Sequence, residues 1–354
     1  MVNVDDRAKI VITGAAGFIG SHLCDALLGR EYNVVGIDNL SMGSIQNIKH
    51  NLDNPRFSFV KADVRNFVKL LHICANADVI VHLAAYKIPR YGNALETLMI
   101  NHEGAKNVLE IAKDLKCKVV LASTSDVYGK NPQLPFHEDG DLVIGPSNIK
   151  RWSYAVSKLF DEHLSLAYQE AYGFPVVILR FFGSYGPRHH LSWWGGPQSV
   201  FITQILNNEE VEIHGDGSQT RSFTYISDTV NGIVAAIEKQ EANGEIINVG
   251  STHEISILEL AFLIKRLANT PEAIKLKLVP YSSFSGGKYE DVMRRIPDIS
   301  KAQKLLGFKA LVDLEEGLRS TIAWQKEVLQ KDRSYPSKLL VAKDVQISAP
   351  DSLR

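Results

Sequence analysis

Three glycines spaced three apart, Gly14, Gly17 and Gly20 in "VITGAAGFIGSH", constrain the fold more than any other feature of this chain. They follow an apolar run of strand type, "KIVITG", and open a segment of helical periodicity. Glycine there permits a tight strand-to-helix turn and lets a ligand approach the backbone closely. The pattern then repeats. Apolar runs bounded by turn residues recur at "NVVGID", "FSFVKAD", "DVIVHLAA", "KVVLAST" and "PVVILRFF", with longer helical segments such as 94–116 and 153–172 between most of them. Short Val/Ile runs alternating with helices predict an α/β fold, a doubly wound parallel sheet covered on both faces, with ligand sites at the carboxyl ends of its strands.

The texture changes after residue 183. "GSYGPRHHLSWWGGPQ" keeps no regular period, and shorter elements follow, including "EVEIHGDG", "EIINVG" and the helical "SILELAFLIKRLA". We read residues 1–182 as a Rossmann domain to which 222–252 returns. Residues 183–221 and 253–327 form a smaller, discontinuous substrate lobe, and 328–354 an extension packed on the surface or partly disordered.

The second strand ends in Asp38, eighteen residues after Gly20. A glycine turn at a helix N-terminus suits a pyrophosphate, and an acid at that spacing suits two ribose hydroxyls while repelling a 2′-phosphate. The expected cofactor is therefore NAD, held by Gly14, Gly17, Phe18, Ile19, Gly20, Asp38 and Asn39, with Asp63 and Val64 bordering the adenine.

In "ASTSDVYG" a buried strand runs into four small polar side chains, Ser123, Thr124, Ser125 and Asp126. Such a run is either a turn that satisfies its own backbone or the floor of an active site. "RWSYAVSK" places Tyr154 and Lys158 four apart, on one helical face. A lysine ammonium beside a phenol lowers the phenol's pKa, so that tyrosinate can take a sugar hydroxyl proton while hydride leaves to NAD.

With these motifs together, the chain resembles an extended short-chain dehydrogenase/reductase, in the branch of NAD-dependent nucleotide-sugar epimerases, dehydratases and decarboxylases. The match runs from about residue 9 to about residue 327. The resemblance implies Tyr154 as base, Lys158 as the residue that orients cofactor and tunes Tyr154, and Thr124 as hydrogen-bond partner of the reacting oxygen. It further implies cofactor contacts from Ala84, Ala85 and Lys87 in "HLAAYK". Arg221 in "GDGSQTRSFTYISD" and Arg295, rather than Arg294, in "YEDVMRRIPDI" would hold the diphosphate. Gln198 in "GPQSVFITQI" would line the base pocket, and a uridine nucleotide is the usual tenant. Members commonly dimerise through a four-helix bundle, supplied here by segments 94–116 and 153–172.

All branches begin by oxidising C4, and the outcome is then a 4-epimer, a 4-keto-6-deoxy sugar or a decarboxylated pentose. By resemblance, 4-epimerases mostly carry small neutral residues at positions 125 and 126, whereas decarboxylases and GDP-mannose dehydratases carry Thr-Ser-Glu. Thr124–Ser125–Asp126 is closest to the latter, with the carboxylate one methylene shorter. Asp126 is thus either a base at C5 or a cap for its turn. "FHEDGDLVIGPSNIKRWSYAVSK" and "GGKYEDVMRRIPDI" also resemble UDP-glucuronate decarboxylases. The comparison favours decarboxylation of a UDP-hexuronic acid, followed by 4-epimerisation and then 4,6-dehydration. One departure is Gly183 in "RFFGSYGPR", where many members carry Asn. His189, His190, Trp193 and Trp194 belong either to the substrate site or to a packed loop.

Composition narrows the remaining possibilities. A formal net charge of −1 gives no electrostatic case for nucleic acid or an anionic membrane as partner. Three scattered cysteines, Cys24, Cys74 and Cys117, have no metal-ligand spacing and suit reduced thiols in a cytoplasmic protein. The N-terminus lacks an apolar signal region. Intact Thr124, Tyr154 and Lys158 argue against two alternatives of another class, a non-catalytic NAD-binding regulator and an RNA-associated protein. Stoichiometric NADH release would mark a simple dehydrogenase instead.

Overall fold

The computed structural model of the protein describes residues 8–87, 93–283 and 289–331. The central sheet contains β1 (Lys9–Thr13), β2 (Asn33–Asp38), β3 (Phe57–Lys61), β4 (Val79–His82), β5 (Lys118–Thr124) and β6 (Val176–Phe181). Between them run α1 (Phe18–Leu28), α2 (Phe67–Ile73), α3 (Ala94–Leu115) and α4 (Trp152–Tyr172). The two long helices lie within a residue of the expected 94–116 and 153–172.

Alternation along each strand explains why its apolar run is unbroken. On β1, Ile10 and Ile12 pack against Leu23 and Leu27 of α1, while Val11 points to the opposite layer with Leu109 and Ala112 of α3. Both faces of β1 are covered, whereas β3 at the sheet edge exposes Ser58 and Lys61.

Beyond β6 come β7 (Ser184–Tyr185), α5 (Pro197–Leu206), β8 (Glu210–His214), β9 (Thr220–Ser222), β10 (Thr224–Tyr225) and α6 (Ile226–Glu238). Then follow β11 (Ile246–Val249), β12 (Glu254–Ser256), α7 (Ile257–Ala268), β13 (Lys275–Val279), α8 (Ser300–Leu306) and α9 (Leu314–Lys331). The "EIINVG" segment does join the main sheet: the strand order is β11-β6-β5-β4-β1-β2-β3, parallel throughout. A second core forms where α5, β8, α7 and α9 meet, around Phe201, Ile213, Leu260 and Leu318. Helix α7 opens on a capping box, Ser256 with Glu259, which satisfies two backbone amides of its first turn.

The final helix runs to Lys331, past the expected boundary at 327. Residues 332–354 of the expected extension lie outside the described residues, as do Gly286, Gly287 and Lys288 of the "GGKYEDV" motif. Among the described residues no helix is long and apolar enough to cross a membrane, and no cluster of His, Cys, Asp and Glu is arranged to hold a metal.

Candidate active site

One cleft of about 1040 Å³ runs along the carboxyl ends of the sheet strands. Its lining includes Gly14, Gly17, Phe18, Ile19, Gly20, Asp38, Asn39, Val64, Ala84, Ala85 and Lys87, together with Thr124, Ser125, Asp126, Tyr154, Gln198, Arg221 and Arg295. Residues from distant parts of the chain thus converge on one site.

At the nucleotide end, Gly14 adopts φ +75° and packs so closely that a Cβ would lie 2.9 Å from the Ala84 amide nitrogen. A Cβ on Gly20 would lie 2.1 Å from the Gly14 carbonyl oxygen. Gly17 caps α1 with no side-chain hydrogen bond, so the first amides of the helix face the cleft unclaimed by a cap. That cradle fits the pyrophosphate of NAD.

Asp38 is tied to the backbone: its carboxylate oxygens accept from Ala16 N at 3.0 Å and Leu40 N at 2.8 Å. Burial pushes its pKa up, opposed by these two bonds. Asp63 is turned to Asn39 and Arg65, and Ala62 and Val64 form the cleft wall there.

At the other end, the polar run is both a turn and a site. Thr124 ends β5 and caps the 3-10 turn Ser125–Tyr128 by accepting from Asp126 N at 3.2 Å; it shares the cleft with the Tyr154 phenol, whose pKa it lowers. Ser123 points the other way and donates to Glu162, which chelates Arg180 at 2.7 and 3.0 Å in the buried layer behind the strand.

The Tyr154–Lys158 pair differs from expectation in its electrostatics. Both residues lie on α4, but the Lys158 ammonium is buried and 3.3 Å from the Asp161 carboxylate. Burial raises the Tyr154 phenol well above its ordinary range; Asp126 and Asp161 add to this, and Thr124 opposes it. The lysine alone therefore does not make a tyrosinate of this phenol.

Sequence reading named Arg295 and Arg221 but missed Arg151, Tyr289 and Asp291, which join them around Asp126. Arg295 Nη2 lies 2.8 Å from its carboxylate and Arg151 Nη2 lies 3.4 Å from it. Arg151 also reaches Asp291 at 3.3 Å and donates to the Tyr289 hydroxyl at 2.7 Å, while Arg221 pairs with Asp291 at 2.9 Å. Burial pushes the Asp126 carboxyl up, but Arg295, Arg151 and Arg221 outweigh it and hold the group below its usual range. Burial brings Lys87 down to about 8, opposed by Asp126. Arg294 points away, paired with Glu254.

His189, His190, Trp193 and Trp194 of the irregular loop line the cleft, and all but His190 also pack on a ring. His189 stacks on Phe18 at 4.0 Å, Trp193 on His214 at 4.1 Å, and Trp194 meets Tyr86 edge-on at 5.1 Å. His190 bonds Ser192. Gln198, near the start of α5, is buried with its Oε1 unpartnered among the described residues. Gly183 has φ +50°, and a Cβ there would lie 2.4 Å from the Ser222 carbonyl oxygen. The backbone of the neighbouring segment thus leaves no room for a side chain at this position.

A parallel sheet with a glycine cradle at one end of a cleft, Thr124 and Tyr154 at the other, and Lys158 buried behind them on the same helix as Tyr154 defines a short-chain dehydrogenase/reductase-type enzyme. The family described as GDP-mannose 4,6 dehydratase matches residues 11–321. A UDP-N-acetyl-alpha-D-glucosaminuronate decarboxylase from Bacillus cytotoxicus is 36% identical over 91% of this chain and 99% of its own length. UDP-glucuronic acid decarboxylase 1 of Xenopus tropicalis is 38% identical over 92% of this chain and 74% of its own. The crystal structure of UDP-glucuronic acid 4-epimerase from Bacillus cereus, in complex with UDP-glucuronic acid and NAD, superimposes with a TM-score of 0.81. It is 34% identical and covers 90% of this chain and 99% of that one. The chain belongs to this family of NAD-dependent nucleotide-sugar epimerases, dehydratases and decarboxylases.

Proposed function

We propose that the protein removes CO2 from a UDP-hexuronic acid through a transient C4 ketone, working in the cytoplasm. The reading rests on one observation: the Asp126 carboxylate, clamped by Arg295 at 2.8 Å, lines the same cleft as Thr124 and Tyr154. Epimerisation at C4 needs a proton acceptor and a hydride carrier. A fixed anion–cation pair beside them is additional apparatus, suited to bond breaking at C5 and C6. The names of the relatives support the same substrate class. Residues 1–182 with 222–252 would carry the cofactor, and 183–221 with 253–327 the nucleotide-sugar. Gln198 would meet the base and Arg221 the diphosphate, while Arg295, paired with Asp126 at 2.8 Å, would meet the sugar.

When bound, NAD accepts a hydride from C4 and later returns it. Tyr154 takes the C4 hydroxyl proton, and Thr124 holds that oxygen. The C5–C6 bond then breaks, its electron pair moving through C5 toward the C4 oxygen. Thr124 and the protonated Tyr154 hydrogen-bond the resulting enolate. As CO2 departs, C5 takes up a proton from solvent water in place of the lost carbon, and Tyr154 keeps the C4 proton for the return step. A carboxylate held ionised by two guanidinium groups is a poor base. We therefore assign Asp126 an electrostatic role: its charge opposes that of the substrate carboxylate and favours release of neutral CO2.

The test is incubation with UDP-glucuronate, UDP-glucose, UDP-GlcNAc and GDP-mannose, with products read by mass and NMR. Loss of the mass of CO2 from UDP-glucuronate supports the reading, and failure of that substrate to react refutes it. Unchanged mass with an inverted C4 indicates the second reading, 4-epimerisation, which the likeness to the Bacillus cereus enzyme favours. Asp126→Asn should slow CO2 release about 100-fold while C4 oxidation persists as accumulating NADH. Removing this anion also moves the rising acid limb of kcat/KM to lower pH, because Asp126 raises the Tyr154 pKa.

We further propose a homodimer through α3 and α4. Leu95 (65% exposed), Met99 (44%), Val156 (43%) and Phe160 (50%) leave an apolar surface on these two helices. Phe160→Glu should halve the mass measured by light scattering; an unchanged mass would exclude this face.

A further inference from the structure

Two acids stand side by side on α4, and their surroundings differ. Glu162 is neutralised by Arg180 and Ser123. Asp161 is fully buried (0% exposed), and the cation within reach of it is Lys158, at 3.3 Å and itself 1% exposed. The other carboxylate oxygen, Oδ1, has no hydrogen-bond partner among the described residues. An ammonium closed off from water is costly unless an anion balances it, and here that anion is Asp161.

The other titratable groups near Lys158 do not replace it. His82 of β4 is buried and is brought down to about 3, first by burial and then by Lys158. Its Nδ1 is bonded to the Thr13 hydroxyl at 2.8 Å. His102 of α3 acts on Asp161 from the far side and packs edge-on against Phe160 at 4.9 Å. Tyr154 and Glu162 complete the set on α4, the first a phenol and the second already paired with Arg180.

We propose that Asp161 is a positioning residue of the active site: it fixes the Lys158 ammonium on α4 and balances its charge, so that Tyr154 works beside an ion pair rather than beside a lone cation. The inference rests on the reading of Tyr154 and Lys158 as the catalytic pair. Without Asp161 the ammonium stays buried and loses its counter-charge, so Lys158 gives up its proton at lower pH.

Three variants test this: Asp161→Asn, which keeps the shape, Asp161→Glu, which keeps the charge, and Lys158→Met, which identifies the Lys158 resonance by its loss. The Lys158 Nζ titration is followed by NMR of 15N-lysine-labelled protein, and kcat/KM against pH is measured in parallel. In Asp161→Asn the Nζ midpoint should fall by about one pH unit or more, and the alkaline limb of kcat/KM should fall with it. Asp161→Glu should restore both towards the parent.

An unchanged midpoint in Asp161→Asn overturns the proposal. So does a rate loss equal at every pH, or an Asp161→Glu protein that titrates like Asn. If Asp161→Asn does not fold, the Glu variant decides alone, since a packing role tolerates the added methylene less well than a charge role does. The NMR midpoint needs no substrate. If instead Lys158→Met and Tyr154→Phe keep full turnover, the catalytic reading fails while the midpoint still reports on the Asp161–Lys158 pair.

Discussion

Tyr154→Phe is expected to lower kcat by about 10³-fold or more, because it removes the hydroxyl that faces the cleft beside Thr124. Deletion of the oxygen leaves the ring, and with it the packing at the start of α4, so the variant should fold and bind NAD with near-parent affinity. The pH profile gives a sharper check than the rate. In the free protein, burial, Asp126 and Asp161 hold the phenol above its ordinary range. The parent's kcat/KM should therefore climb with pH through neutrality as the small tyrosinate fraction grows. In the Phe variant that climb should vanish, leaving a flat residual rate. A residual rate that keeps the parent's slope would assign the base to another group.

Arg180→Met is expected to destabilise the fold by about 3–5 kcal/mol, read as a lower urea midpoint. Arg180 and Glu162 are both almost completely buried and share two charge-assisted hydrogen bonds. Arg180 also donates to the Glu138 carbonyl at 3.2 Å and stacks on the Tyr128 ring at 4.8 Å. Removing the cation leaves Glu162 charged and buried, with Ser123 as its remaining hydrogen-bond partner among the described residues. The double variant Arg180→Met/Glu162→Leu should recover much of the loss, because it removes the stranded charge as well. Since Ser123 precedes Thr124, the single variant should also blur the position of the reacting oxygen. Its kcat should fall even at temperatures where it stays folded.

The parts of this molecule legible in the sequence are those with a local signature. The glycine turn, the alternating strands and the Tyr154–Lys158 spacing each lie within one short window, and the return of "EIINVG" to the sheet was visible as one more apolar run. The ring of charges around Asp126 had no such signature. Arg295 meets Asp126 from the far end of the chain, and Arg221 meets Arg151 only through Asp291. Ion pairs between distant segments leave no period to count. Asp161 is a different case, since its three-residue spacing from Lys158 was in plain view. What the sequence concealed was that this face of α4 is dry, which turns an ordinary surface pairing into a determinant of the chemistry.

At Gly183 the chain presses against the Ser222 carbonyl, and both residues border the cleft. That part of the cavity is therefore walled by main chain, which point substitution can reshape only by moving the backbone. Adaptation to a different sugar would have to act elsewhere, on the movable side chains of the His189–Trp194 loop and of the segment carrying Tyr289 and Arg295. Such a division of labour lets one scaffold acquire new substrates while its oxidation chemistry stays unaltered.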